Sequence, residues 1–284
     1  MGEQTFTAAC VQLRAGQNVA ANIEAAEALI REAAATGAQY VQTPEQTALM
    51  ELRSEVLFAK IVAEDEDPAL ARFKALAAEL GIWLHIGSLA IRVASDKAAN
   101  RAFVLAPDGA IAARYDKIHM FDVDLPNGET YRESRNYRPG KEAVTMDLPW
   151  GRLGLSICYD LRFAYLYRAL AQAGADFLAI PAAFTRQTGQ AHWHVLQQAR
   201  AIETGCYVMS AAQGGTHENG RETFGHSLII APWGEVLAEA GTDPCVITAK
   251  INPAACAEAR ARIPALQHDR GFTLRQAGKA EAAE

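Results

Sequence analysis

Within its first 43 residues the chain spells out a complete β-α-β unit, and that unit constrains the fold more than any other feature. Phe6 to Leu13 is a strand-like apolar run. Asn18 then stands as an N-cap ahead of Val19, Ile23, Ala26 and Ile30, apolar residues at helical spacing, and Gly37 ends the helix before a strand at Gln39 to Thr43. Strands joined across a helix pair in parallel, and such a sheet is covered by helices. An α/β layered architecture follows.

The rest of the chain extends the theme. Asp67-Pro68 opens a second helix that runs to Leu80-Gly81, and Ile82 to Ala90 resumes an apolar strand. Arg101 to Ala106 and Ala110 to Tyr115 flank Pro107-Asp108-Gly109, a hairpin signal. Further strands are expected at Ala143 to Leu148, Arg152 to Ile157, Phe177 to Ile180, Tyr207 to Ala211, Ser227 to Ala231 and Val246 to Ile251, with helices near 163–173, 190–204 and 253–262. Residues 116–142 lack periodicity, and an irregular segment of that length inside a compact domain is usually functional. No Pro/Ser-rich linker divides the chain, so one domain is expected over 1–276, followed by a frayed, disordered tail at 277–284.

Three strand ends carry reactive groups. Gly154-Leu155-Ser156-Ile157 delivers Cys158 into the polar turn Tyr159-Asp160-Leu161-Arg162; Glu45 follows Thr43-Pro44; Lys117 follows Arg114-Tyr115-Asp116. A thiol with an ordinary pKa of about 8.5 is mostly protonated at neutral pH and needs a base and a cation before it attacks an acyl carbon. Glu45 can take the proton and later activate water, while Lys117 can stabilise a thiolate or an oxyanion. The backbone N–H of Tyr159 is the natural second oxyanion donor. Each residue also has a plainer reading: Cys158 as strand-end packing, Glu45 as the first-turn carboxylate of a helix opened by Pro44, Lys117 as a solvated loop lysine.

Composition narrows the field. A formal net charge of −6 without a Lys/Arg cluster disfavours nucleic acid. Five cysteines with no CxxC pair fit neither a disulfide framework nor a thiolate zinc site and favour a reducing compartment. The N-terminus lacks a basic, apolar leader, Phe6 stands where a myristoylation signal needs Ser or Thr, and no stretch approaches the roughly 20 apolar residues of a membrane span. A cytoplasmic protein is expected.

At the reactive residues the sequence resembles the nitrilase superfamily of carbon–nitrogen hydrolases. The resemblance runs through Thr43-Pro44-Glu45, Tyr115 to Asp124, Glu133-Ser134, Pro139-Gly140, Cys158 to Phe163, Pro181 to Phe184, Gly189 to Trp193, Arg200 to Thr204, Gly225-His226-Ser227 and Pro232-Trp233-Gly234. It implies a nitrilase-like α-β-β-α sandwich, two mixed sheets between helical layers, and a homodimer for which the helices near 163–173 and 190–204 are candidates. It also implies Glu45 as general base, Lys117 as oxyanion stabiliser, Cys158 as nucleophile and Glu133, rather than the neighbouring Glu129, as a fourth catalytic residue. The loop Lys117 to Asp124 is similar to that of a branch whose members act on deaminated glutathione or, as ω-amidases, on α-ketoglutaramate. Arg200 to Thr204, Cys206 to Val208 and Ala211 to Gln213 look more like the former.

The expected activity is therefore hydrolysis of a small carboxylate-bearing amide, through a thioester, to a carboxylic acid and ammonia. Deaminated glutathione is the first candidate, an ω-amidase the alternative, and a silent binding module of the same fold a third reading. Arg162, four positions past Cys158, is expected to bind the substrate carboxylate bidentately, unless it forms a structural ion pair with Asp160 or another acid. Tyr159 and Phe184 are expected to line the pocket, although Phe184 also reads as packing. No cofactor and no metal are expected: His192 and His194 at i,i+2 point to different helix faces with no nearby acid to complete a set. His226 as base of a Cys-His pair is a weaker alternative. An isochorismatase-type Asp is missing from Phe6 to Leu13.

Overall fold

The computed structural model describes residues 5–126 and 128–276, so the tail expected at 277–284 lies outside the described residues. Strand β1 (Phe6–Gln12) leads into helix α1 (Val19–Ala35), whose N-cap Asn18 accepts a 3.2 Å hydrogen bond from the Ala21 N–H. After β2 (Tyr40–Gln42) and the short α2 (Ser54–Lys60), Asp67 caps α3 (Pro68–Leu80) by accepting from the Leu70 N–H at 2.8 Å. Gly81, at φ 64°, stops that helix in the left-handed conformation glycine tolerates. The β-α-β unit, the second helix and the hairpin between β4 (Ala98–Leu105) and β5 (Ile111–Asp116) all stand as the sequence predicts, with β3 (Trp83–Arg92) between them.

The expected irregular segment instead holds a small hairpin, β6 (Asp122–Asp124) with β7 (Thr130–Arg132), and a 3₁₀ turn at Glu133–Arg135. Beyond it come β8 (Thr145–Leu148), β9 (Gly151–Leu155), α4 (Ala164–Gln172), β10 (Phe177–Ala179), α5 (Arg186–Thr204) and β11 (Tyr207–Ser210). Helix α5 starts four residues before the expected 190, where Thr185 caps it by accepting from the Thr188 N–H. A second small hairpin, β12 (Gly214–Thr216) with β13 (Glu222–Phe224), precedes β14 (Leu228–Ile230), β15 (Val236–Glu239), β16 (Cys245–Ile251) and α6 (Ala254–Arg262).

Two six-stranded mixed sheets result, in the orders β16-β1-β2-β3-β4-β5 and β15-β14-β11-β10-β9-β8. In the first, β1, β2 and β3 are parallel; β16 is antiparallel to β1 in the register Phe6↔Ile251, and β4 and β5 add an antiparallel meander. The alternation of side chains along β1 divides two cores. Phe6, Ala8 and Cys10 face the second sheet, where Phe6 stacks on Trp150 at 4.2 Å and meets Phe177 edge-on at 5.4 Å. Ala9, Val11 and Leu13 face Ile30 of α1 and Phe73 and Leu76 of α3. Leu166 and Leu170 of α4 and Trp193 of α5 cover the second sheet. The layers are helix, sheet, sheet, helix. Among the described residues no helix is long and apolar enough to cross a membrane.

Candidate active site

Glu45, Lys117 and Cys158 each follow a strand: Glu45 the middle strand of the first parallel trio, Lys117 the last residue of β5, Cys158 the end of β9. The fold brings two of the predicted carboxylates onto the predicted amine. Lys117 Nζ lies 2.9 Å from Glu45 Oε1 and 3.0 and 2.8 Å from the two oxygens of Glu133. Glu129, by contrast, accepts from Tyr131 Oη in the β6–β7 hairpin. Backbone donors finish the frame: Ala183 N–H to Glu45 Oε2 at 2.9 Å, and Phe121 N–H to Glu133 Oε2 at 2.7 Å.

Glu45 heads no helix, so its reading as a first-turn carboxylate is corrected; it sits in a turn whose next residue, Gln46, has φ 57°. The bulge of β3 supports that turn. A Cβ on Gly87 would lie 2.1 Å from the Thr43 carbonyl oxygen, so only glycine lets the strands approach this closely, and its N–H donates to Thr43 Oγ1 at 3.1 Å.

Cys158 opens a 3₁₀ turn spanning Cys158–Arg162 and holds φ at 51°, a left-handed backbone that costs an ordinary residue roughly 1–2 kcal/mol. Its N–H donates to the Pro181 carbonyl at 2.9 Å. Asp160, fully buried, clamps the turn: Oδ2 accepts from the Ile157 N–H and from Tyr115 Oη, and Oδ1 accepts from the His119 N–H and faces the His119 ring nitrogen at 2.6 Å. Asp160 thereby ties the thiol turn to the lysine loop. It is not the partner of Arg162, so the ion-pair alternative for that arginine is corrected.

Electrostatics set the resting protonation. Burial pushes the Cys158 thiol well above its ordinary pKa, and the Glu45 charge beside it adds to the rise, so the thiol is neutral. Burial also disfavours the Glu45 carboxylate, but the Lys117 ammonium and hydrogen bonds from Cys158 and Lys117 outweigh it and hold the group below the usual carboxylate range. For Lys117, burial is outweighed by Glu133 and Glu45, and the ammonium is held well above its ordinary value. A proton acceptor, a fixed cation and a neutral thiol stand together.

They open onto a cleft of about 200 Å³, also lined by Tyr159, Arg162 and Phe184. The Arg162 guanidinium lies over the Phe184 and Tyr159 rings at 5.4 and 5.9 Å and meets His192 Nδ1 at 3.3 Å. Phe184 does both things read for it, since its ring also packs 4.9 Å from Trp193. His192 and His194 do point to different faces, yet His194 finds an acid after all: Glu239 Oε1 lies 2.8 Å from its Nε2 and 2.9 Å from His226 Nδ1. That cluster of His194, His226 and Glu239 does not line the cleft, so His226 is no base for Cys158.

Two contributors escaped the sequence reading. Asn100 is buried in β4 and donates from Nδ2 to both Glu45 and Glu133, at 2.9 and 3.1 Å, while its carbonyl accepts from the Lys117 N–H. Arg221 lines the cleft from the β12–β13 hairpin.

Comparisons with known proteins identify relatives of the chain. A family model described as carbon-nitrogen hydrolase matches residues 7–261. A deaminated glutathione amidase of Synechocystis is 42% identical over 268 residues, 93% of this chain and 97% of that protein. The omega-amidase NIT2 of Homo sapiens is 36% identical over 266 residues, 94% of this chain and 95% of that protein. Among solved structures, the NitFhit protein of C. elegans superposes with a TM-score of 0.88 at 33% identity, covering 95% of this chain and 66% of that one. The chain belongs to the carbon–nitrogen hydrolases of the nitrilase superfamily. It is a carbon–nitrogen hydrolase, and the curated relatives named here are amidases.

Proposed function

We propose that Cys158, Glu45 and Lys117 are the catalytic triad, assisted by Glu133, in the hydrolysis of deaminated glutathione. The observation that carries the reading is the ion-paired Glu45–Lys117–Glu133 cluster set beside a neutral, buried thiol that lines the same cleft. Arg162 holds a substrate carboxylate, and Tyr159 and Phe184 wall the pocket. As Cys158 Sγ attacks the amide carbon, its proton passes to Glu45, and the oxyanion is held by Lys117 Nζ and the Tyr159 N–H. The C–N bond breaks as Glu45 protonates the leaving nitrogen. Water then attacks the thioester, giving its proton to Glu45; the C–S bond breaks, Sγ regains a proton and the acid departs. Glu133 keeps Lys117 charged and aimed.

Chemistry amends one expectation. A primary amide such as α-ketoglutaramate releases ammonia, whereas deaminated glutathione is a secondary amide and releases the dipeptide cysteinylglycine. Formation of 2-oxoglutarate reports both reactions equally. The expected result is a kcat/KM at least about tenfold higher for deaminated glutathione, with turnover abolished in Cys158→Ala at unchanged melting temperature. Preference for α-ketoglutaramate would make the protein an ω-amidase, and retained activity in Cys158→Ala would refute the mechanism.

A homodimer is part of this proposal, because the helices α4 and α5 leave Tyr165, Val195 and Ile202 exposed at 66%, 68% and 59%. Light scattering at twice the chain mass of 30.6 kDa is the expected result. The core shared by both sheets supports a single hydrolase domain over 1–276, and five free cysteines support a cytoplasmic setting.

A further inference from the structure

Four cationic side chains line the cleft, and they differ in whether a carboxylate answers them. Lys117 is held between Glu45 and Glu133, and Arg132 pairs with Asp124 at 2.7 Å. Arg162 and Arg221 have no carboxylate within ion-pair distance among the described residues. Arg162 has its ring contacts and His192. Arg221 donates from Nη2 to the Ala183 carbonyl at 2.7 Å, approaches Met50 Sδ from Nη1 at 3.6 Å, and lies 5.4 Å over the Tyr131 ring, while its buried Nε has no partner at all. A half-buried guanidinium with most of its five donors unmet is costly unless a ligand supplies the counter-charge.

The two arginines reach the same stretch of chain from different elements. Arg162 rides on the nucleophile's own turn and covers the Phe184 ring, whereas Arg221 comes from the β12–β13 hairpin and holds the carbonyl of the preceding residue, Ala183. Separate anchors suit separate anions. We propose that Arg221 forms a second carboxylate subsite, distinct from that of Arg162, so that the cleft selects amides carrying one carboxylate on the acyl side and another on the amine side of the scissile bond. The inference rests on the deaminated-glutathione reading given above. It takes as its ligand class a keto-acid acyl group joined to a short peptide amine, and it ranks a simple monocarboxylate amide below that class.

The rival role for Arg221 is positioning, since the Ala183 carbonyl it holds belongs to the residue whose N–H grips Glu45. The experiment separates the two. Deaminated glutathione and its derivative amidated at the glycine carboxyl are compared on the wild-type enzyme and on Arg221→Gln, with 2-oxoglutarate formation as readout. Capping is expected to raise KM about tenfold in the wild type, the loss of one charge-assisted contact. In Arg221→Gln the KM of the free acid rises until the two substrates agree within about twofold. If capping leaves the wild-type KM unchanged, or if the tenfold ratio survives in Arg221→Gln while kcat falls alike for both substrates, the subsite is wrong and Arg221 only positions the Ala183 turn. Should Arg221→Gln fail to fold, Arg221→Lys, which keeps the charge without the fork, is expected to shrink the ratio to about threefold, and an intact ratio overturns the proposal. If the wild type cleaves neither substrate, the deaminated-glutathione reading fails and takes this inference with it, an outcome distinct from cleavage without discrimination.

Discussion

The first sheet sets three parallel strands between one antiparallel strand and an antiparallel pair, and the second sheet repeats that plan strand for strand, yet the two load their strand ends differently. From the first come Glu45 and Lys117, buried ions paired with each other and with the half-buried Glu133 and braced by Asn100. From the second comes a neutral thiol on a left-handed backbone, braced by the Pro181 carbonyl and Asp160. The first half keeps charges out of water by pairing them; the second half keeps a reactive atom in place by constraining the chain. Even their middle strands meet in kind, since the turn after β10 supplies the N–H of Ala183 to the carboxylate after β2.

Removing the shared cation is the most direct way to break this contrast. Lys117→Met leaves the buried Glu45 and the half-buried Glu133 without their counterion, which should cost about 3–5 kcal/mol in urea unfolding and lower kcat at least about 10³-fold. A variant as stable as the wild type would mean that water already screens the cluster.

Acid should weaken the first half through two groups with the same sign. His85, fully buried in β3, has its pKa brought down to about 3 by burial alone; it stays neutral in the fold while the unfolded chain takes up a proton below about 6.5. Its contribution is therefore full above about pH 6.5 and declines as the pH falls toward 3. Glu45, held below the usual carboxylate range, keeps its contribution down to about pH 4.3 and loses it below that. Between pH 7 and 5 the carboxylate does not act; His85 loses up to about 2 kcal/mol there, and His217, brought down to about 4 chiefly by burial, adds a loss of the same sign. His85→Gln should lessen the fall of the urea midpoint over that range, leaving the part due to His217, and an undiminished slope would place the acid sensitivity elsewhere.

The backbone constraint of the second half calls for a finer test. Glycine usually lowers stability by about 0.5–1 kcal/mol relative to alanine, but at φ 51° relief of the left-handed penalty offsets that loss. Cys158→Gly should melt no lower than Cys158→Ala. A deficit of about 1 kcal/mol would show that the turn is not strained.

Much of this contrast was legible in residues because its elements are local. The Asn18 cap, Asp67-Pro68, the Pro107-Asp108-Gly109 turn and the run into Cys158 are short-range signals, and the motifs around Glu45, Lys117, Glu133 and Cys158 carry the resemblance. Asn100 was hidden by a strand end: β4 begins at Ala98, not Arg101, and asparagine is depleted in strands, so nothing invited the earlier start. Its value lies in the pairing Ala90↔Asn100 and in carboxylates 55 and 33 positions away. The three-residue strands of the β6–β7 and β12–β13 hairpins are too short for periodicity to register. Arg221 reads as a solvated hairpin charge until tertiary contacts set it against Ala183 and Met50.

The pairing of β1 with β16 has a temporal consequence. Phe6 leaves the ribosome long before its partner Ile251, so over that stretch of synthesis the outer edge of β1 presents unpaired backbone groups. The first sheet is thus begun first and closed last, and during that interval the nascent chain depends on its remaining strands and on cellular holdases to keep that edge from pairing with a stranger.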